Sequence, residues 1–123
     1  MQDEDRVYQS IRDFSRDEVE MLVAKDVLAS LLYVPIGVSL NSDDLEWAES
    51  VCVLLSSHSD PTVRGNAVLG FSHLARRFGS LNMLVVGPII EAALADPAEY
   101  VRMHAADTHY DVKHYLDPAT WEE

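Results

Sequence analysis

Apolar residues return every three or four positions along almost the whole chain, and no stretch alternates apolar with polar between hairpin turn pairs. Such spacing keeps one stripe of a helix buried and does not suit a half-buried strand. The chain is therefore expected to be all-α. Val7, Ile11 and Phe14 share one short stripe and predict either an extra helix or a frayed acidic N-terminus over 1–14. Ser15 with Glu18 fits a capping box that starts a helix over 16–24, with Val19, Leu22 and Val23 as its apolar members. A second helix is expected from near Asp26 to 38, carrying Val27, Leu28, Leu31 and Leu32. Pro35 ends or kinks it, leaving PIGVSLN as a turn or irregular final segment.

Asp43 with Glu46 forms the next cap pair, for a helix over 43–57 with Leu45, Ala48, Cys52 and Leu55 as the buried stripe. Trp47, Val51 and Leu54 make a second stripe, which places Trp47 in the core. Asp60 then caps and Pro61 takes the first helical position, where a missing N–H costs nothing. That helix, 61–78, turns Val63, Ala67, Phe71, Leu74 and Phe78 inward and stops at Gly79. A helix over 82–95 is built around Leu84, Val85, Ile89, Ile90 and Leu94, with Pro88 bending it or delaying its start. Asp96 and Pro97 repeat the cap, with Glu99 in the box position. The last helix, 97–116, carries Val101, Ala105, Val112 and Leu116 before Asp117-Pro118.

An internal repeat runs through this order. Val63-Arg64 recurs as Val101-Arg102, 38 residues on, with Ala67 and Ala105 in register behind them. A period in the 30s to 40s with two helices per unit is the mark of an α-solenoid, in which each hairpin buries its apolar face only against its neighbours. The residues DPTVRGNAVLGF with Leu74, and less closely DPAEYVRMHA, resemble HEAT-repeat proteins of the short lyase-type variety. That resemblance implies about three hairpins in a right-handed superhelix: 16–24 with 26–38, 43–57 with 61–78, and 82–95 with 97–116. It also implies structural roles for Asp60, Pro61, Arg64, Asp96, Pro97 and Arg102, each Arg joining a polar ladder to an acid of the next unit.

A second resemblance covers most of the chain beyond residue 15. The succession LEWAESVCVLLSSH, DPTVRGNAVLGFSHLARRFG, PIIEAALADP and a final Asp-rich helix is similar to small acidic HEAT-type immunity proteins that accompany bacterial polymorphic toxins, including contact-dependent inhibition systems. The implied function is binding and neutralising a cognate toxin domain, often a basic nuclease. The alternatives are a HEAT-like scaffold binding another protein, or a helper related to the phycobilin lyases.

Composition narrows these classes. With 48% hydrophobic and 24% charged residues, 123 residues suit one soluble domain over 1–123 that needs no staple. No apolar run approaches the roughly 18 to 20 residues of a membrane helix, and the acidic N-terminus is unlike a secretory signal, so a cytoplasmic protein is expected. Cys52 is the only cysteine and sits in VCVLL, which reads as a buried, inert thiol. A net charge of −12 disfavours nucleic acid and steers in a cationic protein partner, with one-to-one binding by a monomer expected. The charge is uneven: between Val51 and Ile90 the only acid is Asp60, against Arg64, Arg76 and Arg77, and acidic zones lie on both sides.

Candidate chemistry concentrates in the last helix, where His104, Asp107, Asp111 and His114 fall along one stripe. Ten residues of helix span about 15 Å, too far for one metal ion to hold all four. Two carboxylates on one exposed face also lack the pocket that would separate their pKa values for acid–base catalysis. No phosphate loop, nucleophile elbow or HExxH pair occurs, so neither an enzyme nor a cofactor is expected. His73 reads as a hydrogen-bonded junction residue and His58 as a helix-end residue favoured by the dipole. Tyr100, Tyr110, Tyr115 and Trp121 cluster among acids, suited to a cationic partner or to closing the end of the stack. The expected partner-binding residues are Asp107, Asp111, Tyr110, His104 and His114, with Asp43, Asp44 and Glu46 as a second acidic patch.

Overall fold

The computed structural model describes residues 12–116. Most of the expected 1–14 helix, the Asp117-Pro118 stop and Trp121 lie outside them. The described residues form seven helices: α1 (Arg16–Ala24), α2 (Leu28–Leu31), α3 (Val34–Asn41), α4 (Leu45–Leu55), α5 (Pro61–Phe78), α6 (Met83–Ala93) and α7 (Glu99–Tyr115). No strand occurs among the described residues, so the chain is all-helical there.

Local signals account for most helix starts. Ser15 Oγ accepts the Glu18 N–H at 3.1 Å and opens α1, which buries Val19 and Leu22. Asp60 accepts the N–H groups of Thr62 and Val63 at 2.8 and 3.2 Å, Pro61 follows, and Gly79 with φ of 65° ends α5.

Four expectations are corrected. Asp26 does not start a helix: its φ of 51° is a left-handed turn value that a helix excludes, and α2 begins at Leu28. PIGVSLN is not irregular, because Pro35 sits in the first turn of α3, where its fixed φ and missing N–H fit a helix start. Asp44 caps α4 in place of Asp43, accepting the Trp47 N–H at 3.0 Å. The N-cap of α7 is Ala98, since Asp96 instead accepts the Ala98 N–H at 2.9 Å and faces Arg64.

Helix α5 is the hub. It packs against α3 on one side and α7 on another, with α4 also on it, and buries Val63, Ala67, Phe71 and Leu74. The main core adds Leu31, Val34 and Val38 before α4, and Ala48, Cys52 and Leu55 from α4; Trp47 is half-buried against it. Val68, Ala93, Val101 and Ala105 form a smaller cluster where α5, α6 and α7 meet. Close approach explains Gly70, where a Cβ would lie 2.5 Å from Cys52 Sγ. Helix α6 is apolar nearly all round, and its buried face is Val86, Ile90 and Ala93, leaving the expected core residues Leu84 and Val85 exposed.

A half-buried polar relay ties three parts of the chain together. Tyr100 Oη on α7 donates to Asn66 Oδ1 at 2.5 Å, and Asn66 Nδ2 on α5 donates to the Leu32 carbonyl, between α2 and α3, at 2.6 Å. Gly65 makes the room, since a Cβ there would come within 2.5 Å of the Tyr100 ring. Asn66→Leu is expected to cost about 2 kcal/mol and Tyr100→Phe about 1, because the first breaks two hydrogen bonds and the second only one. Urea unfolding of both variants checks the order.

Candidate docking face on the last helix

Burial of Val101, Ala105, Thr108 and Val112 fixes the rotation of α7 about its axis. The opposite side then presents Met103, Asp107, Tyr110 and His114, at successive offsets of four, three and four. Tyr110 is 71% exposed and Met103 58%, large fractions for residues that lose so much by facing water. The Tyr110 ring lies parallel to His114 at 6.4 Å, and His114 meets Tyr115 edge-on at 4.7 Å, so an aromatic row runs to the end of the helix. Asp107 is exposed beside it.

The stripe expected from the sequence is split by this rotation. Asp111 turns toward α5 and accepts a hydrogen bond from the buried Ser72 Oγ at 2.5 Å. His104 is half-buried, edge-on to Tyr100 at 4.5 Å, and burial pushes its pKa down against the opposing pull of Asp107. Asp107, Tyr110 and His114 therefore share the open face, while His104 and Asp111 line its seam with α5. Met103 belongs to the open face and escaped the sequence reading, although its spacing from Asp107 and Tyr110 was there to be seen. Beside the face lies a cleft of about 340 Å³ between α6 and α7, lined by Met83, Gly87, Ile90, His109 and Val112 among others.

The second acidic patch belongs to the start of α4. Asp44 is occupied as the cap and by Arg16 at 2.5 Å; Asp43 projects into solvent with Arg77 at 3.8 Å, and Glu46 is exposed. The repeat residues meet elsewhere. Arg64 donates from Nε and Nη2 to the two oxygens of Asp96 at 3.0 and 2.9 Å, and from Nη1 to the carbonyls of His58 and Ser59. Arg102 reaches the Asp96 main-chain carbonyl at 2.7 Å. The Arg64 guanidinium holds the Asp96 carboxyl below the usual carboxylate range. Asp60 caps α5, Pro61 follows it, and Pro97 separates Asp96 from α7.

His58 bridges the first turn to α5, its Nε2 lying 2.7 Å from Asp26 and its Nδ1 accepting the Asp60 N–H at 2.9 Å. His73 on α5 has a buried Nδ1 with no hydrogen-bond partner in the protein. Burial first, then Arg76, holds its pKa below the ordinary histidine value against the pull of Asp111. The unfolded chain thus takes up this proton first, so the contribution is intact above about pH 6.5 and is lost as pH falls below it. Melting temperature is expected to fall between pH 7 and 5, and His73→Gln to shrink that fall; a thermal melt series across this range checks it. Cys52 is fully buried, and burial pushes its thiol up to about 12.

Among the described residues no group of three His, Cys, Asp or Glu side chains is placed to hold a metal ion. No described helix is long and apolar enough to cross a membrane. The arrangement on α7 offers contact area, one open carboxylate and two ring systems, which are the means of binding a protein surface.

No family model matches the chain, and no curated protein matches it. Among solved structures, the fold is similar to a chain in the crystal structure of the CDI complex from Cupriavidus taiwanensis LMG 19424. The TM-score is 0.73 at 20% sequence identity, over 85% of this chain and 93% of that one, a likeness of fold.

Proposed function

We propose that this chain is an immunity protein, binding a cognate toxin domain and blocking that domain's active site without catalysis of its own. The observation that carries the reading is the likeness of fold, over most of both chains, to a chain of a CDI complex. CDI abbreviates contact-dependent inhibition, the same class of system that the sequence resembles. The exposed α7 face supports the reading by offering a surface for such a contact. Tyr110 and Met103 supply area that gains by leaving water, and Asp107 supplies a partner for an Arg or Lys of the toxin. The net charge of −12 speeds encounter with a basic nuclease domain, whose active site expects a polyanion.

The same reading covers the architecture. Helices α3, α5 and α7 form one layer of a short right-handed HEAT-like solenoid, as the second members of three hairpins in one domain over 1–123. The protein acts as a cytoplasmic monomer in a one-to-one complex, away from membranes and nucleic acid. The test is co-expression with the toxin-domain reading frame beside its own gene. Restored growth together with a co-purifying complex supports the proposal. A complex without rescue identifies a HEAT-like scaffold instead, and the absence of both rescue and complex overturns the immunity reading.

A further inference from the structure

Helix α1 stands off from α4, and an apolar trough of about 280 Å³ opens between them. Val19 and Val51 are buried at its base, and Val23, Trp47 and Leu54 wall it. Leu54 is 54% exposed, on a helix whose opposite side is fully buried. Trp47 is held from one side by Arg16, whose guanidinium lies 5.3 Å from the ring centroid and is itself ion-paired with Asp44. Glu20 lines the trough on the α1 side, and the exposed carboxylates of Asp17 and Glu46 stand one helical turn from the lining residues Glu20 and Ser50. Apolar base, aromatic wall and acidic rim occur together here and involve none of the residues on the α7 face.

The chemistry of the trough selects its occupant. Apolar walls need apolar anchors, and carboxylates on both rims need cations on either side of those anchors. The described residues offer no strand edge, so an incoming backbone must satisfy its own hydrogen bonds, which favours a helix over an extended peptide. The rim repels nucleic acid and anionic lipid, and a second copy would set carboxylate against carboxylate. We propose that the α1–α4 trough docks a basic amphipathic helix of a protein partner, with its apolar stripe against Val19, Val51 and Leu54 and its Lys or Arg residues on Glu20 and Glu46. This site is independent of the immunity reading.

The test uses the full chain carrying Trp121→Phe, which leaves Trp47 as the only indole. The probe is a leucine–lysine peptide about four turns long, with its leucines at helical spacing. Titration is expected to give a saturable change in Trp47 fluorescence, weakened about 10-fold or more by Leu54→Asp and by Glu20→Lys. Leu54 and Glu20 are exposed, so both variants should keep the parent melting temperature, and Ser50→Lys, also exposed, serves as a third block. Equal binding by a peptide of the same composition at alternating spacing overturns the proposal, as does unchanged affinity in the Leu54 and Glu20 variants. Loss of binding on Tyr110→Ala, with those variants unaffected, would move the peptide to α7 and also overturn it.

Discussion

Arg64→Ala is expected to lower the unfolding free energy by about 3 kcal/mol, measured by urea titration at pH 7. The Arg64 and Asp96 side chains are only 18% and 14% exposed, so truncation strands a largely shielded carboxylate. It also removes the donor shared by the carbonyls of His58 and Ser59. Arg64→Lys keeps the charge but not the fork that meets both Asp96 oxygens, and should recover less than half of the loss. The double variant with Asp96→Ala should cost less than the two single losses added, since each partner's removal already breaks the pair. The pH dependence has a definite sign. Asp96 has a lowered pKa in the fold, so its contribution is present above the unfolded value of about 3.9 and is lost as pH falls through the folded one. The advantage of the parent over the double variant should therefore fade in acid. Equal stability of Arg64→Ala and the parent at pH 7 would show that solvent replaces all four bonds without loss.

On the proposed immunity function, Asp107→Arg and Tyr110→Ala together are expected to weaken toxin binding by about 100-fold or more, and to abolish growth rescue. Both side chains are exposed, so the melting temperature should not move. Asp111→Asn provides the contrast. Its carboxylate is engaged by Ser72, so the change should register in stability before it registers in affinity. Calorimetric titration of the purified pair reads affinity, and thermal melts of the same variants read stability. Full rescue by the Asp107 and Tyr110 double variant would place the interface elsewhere on the protein.

What could be read from the sequence depended on how local each signal was. Helix α5 was legible from end to end because Asp60, Pro61 and Gly79 act within one turn of where they stand. Pro35 was ambiguous by nature, since the same ring closes a helix from inside and opens one from its first turn. Asp43 and Asp44 both suit a cap, and only the path of the chain chose between them. Helix α6 is apolar on nearly every side, so periodicity could not choose its buried face and Leu84 was placed inward. The division of the α7 carboxylates was out of reach. Asp107 and Asp111 are one turn apart and chemically alike; Ser72, 39 positions earlier, determines which of them meets solvent. The α1–α4 trough was hidden for the same reason, because Leu54 belongs to an apolar stripe whether or not another helix covers it.

Helix α6 does not supply its own first acceptor: the Asn82 side chain makes no cap bond, and the Asn82 N–H is taken by Glu49 of α4 at 2.7 Å. The start of the C-terminal hairpin therefore leans on a carboxylate of α4, so the hairpin should be less helical when α4 is missing. A fragment beginning near residue 80 should stay largely uncoiled in isolation, and should gain helix when mixed with the preceding segment.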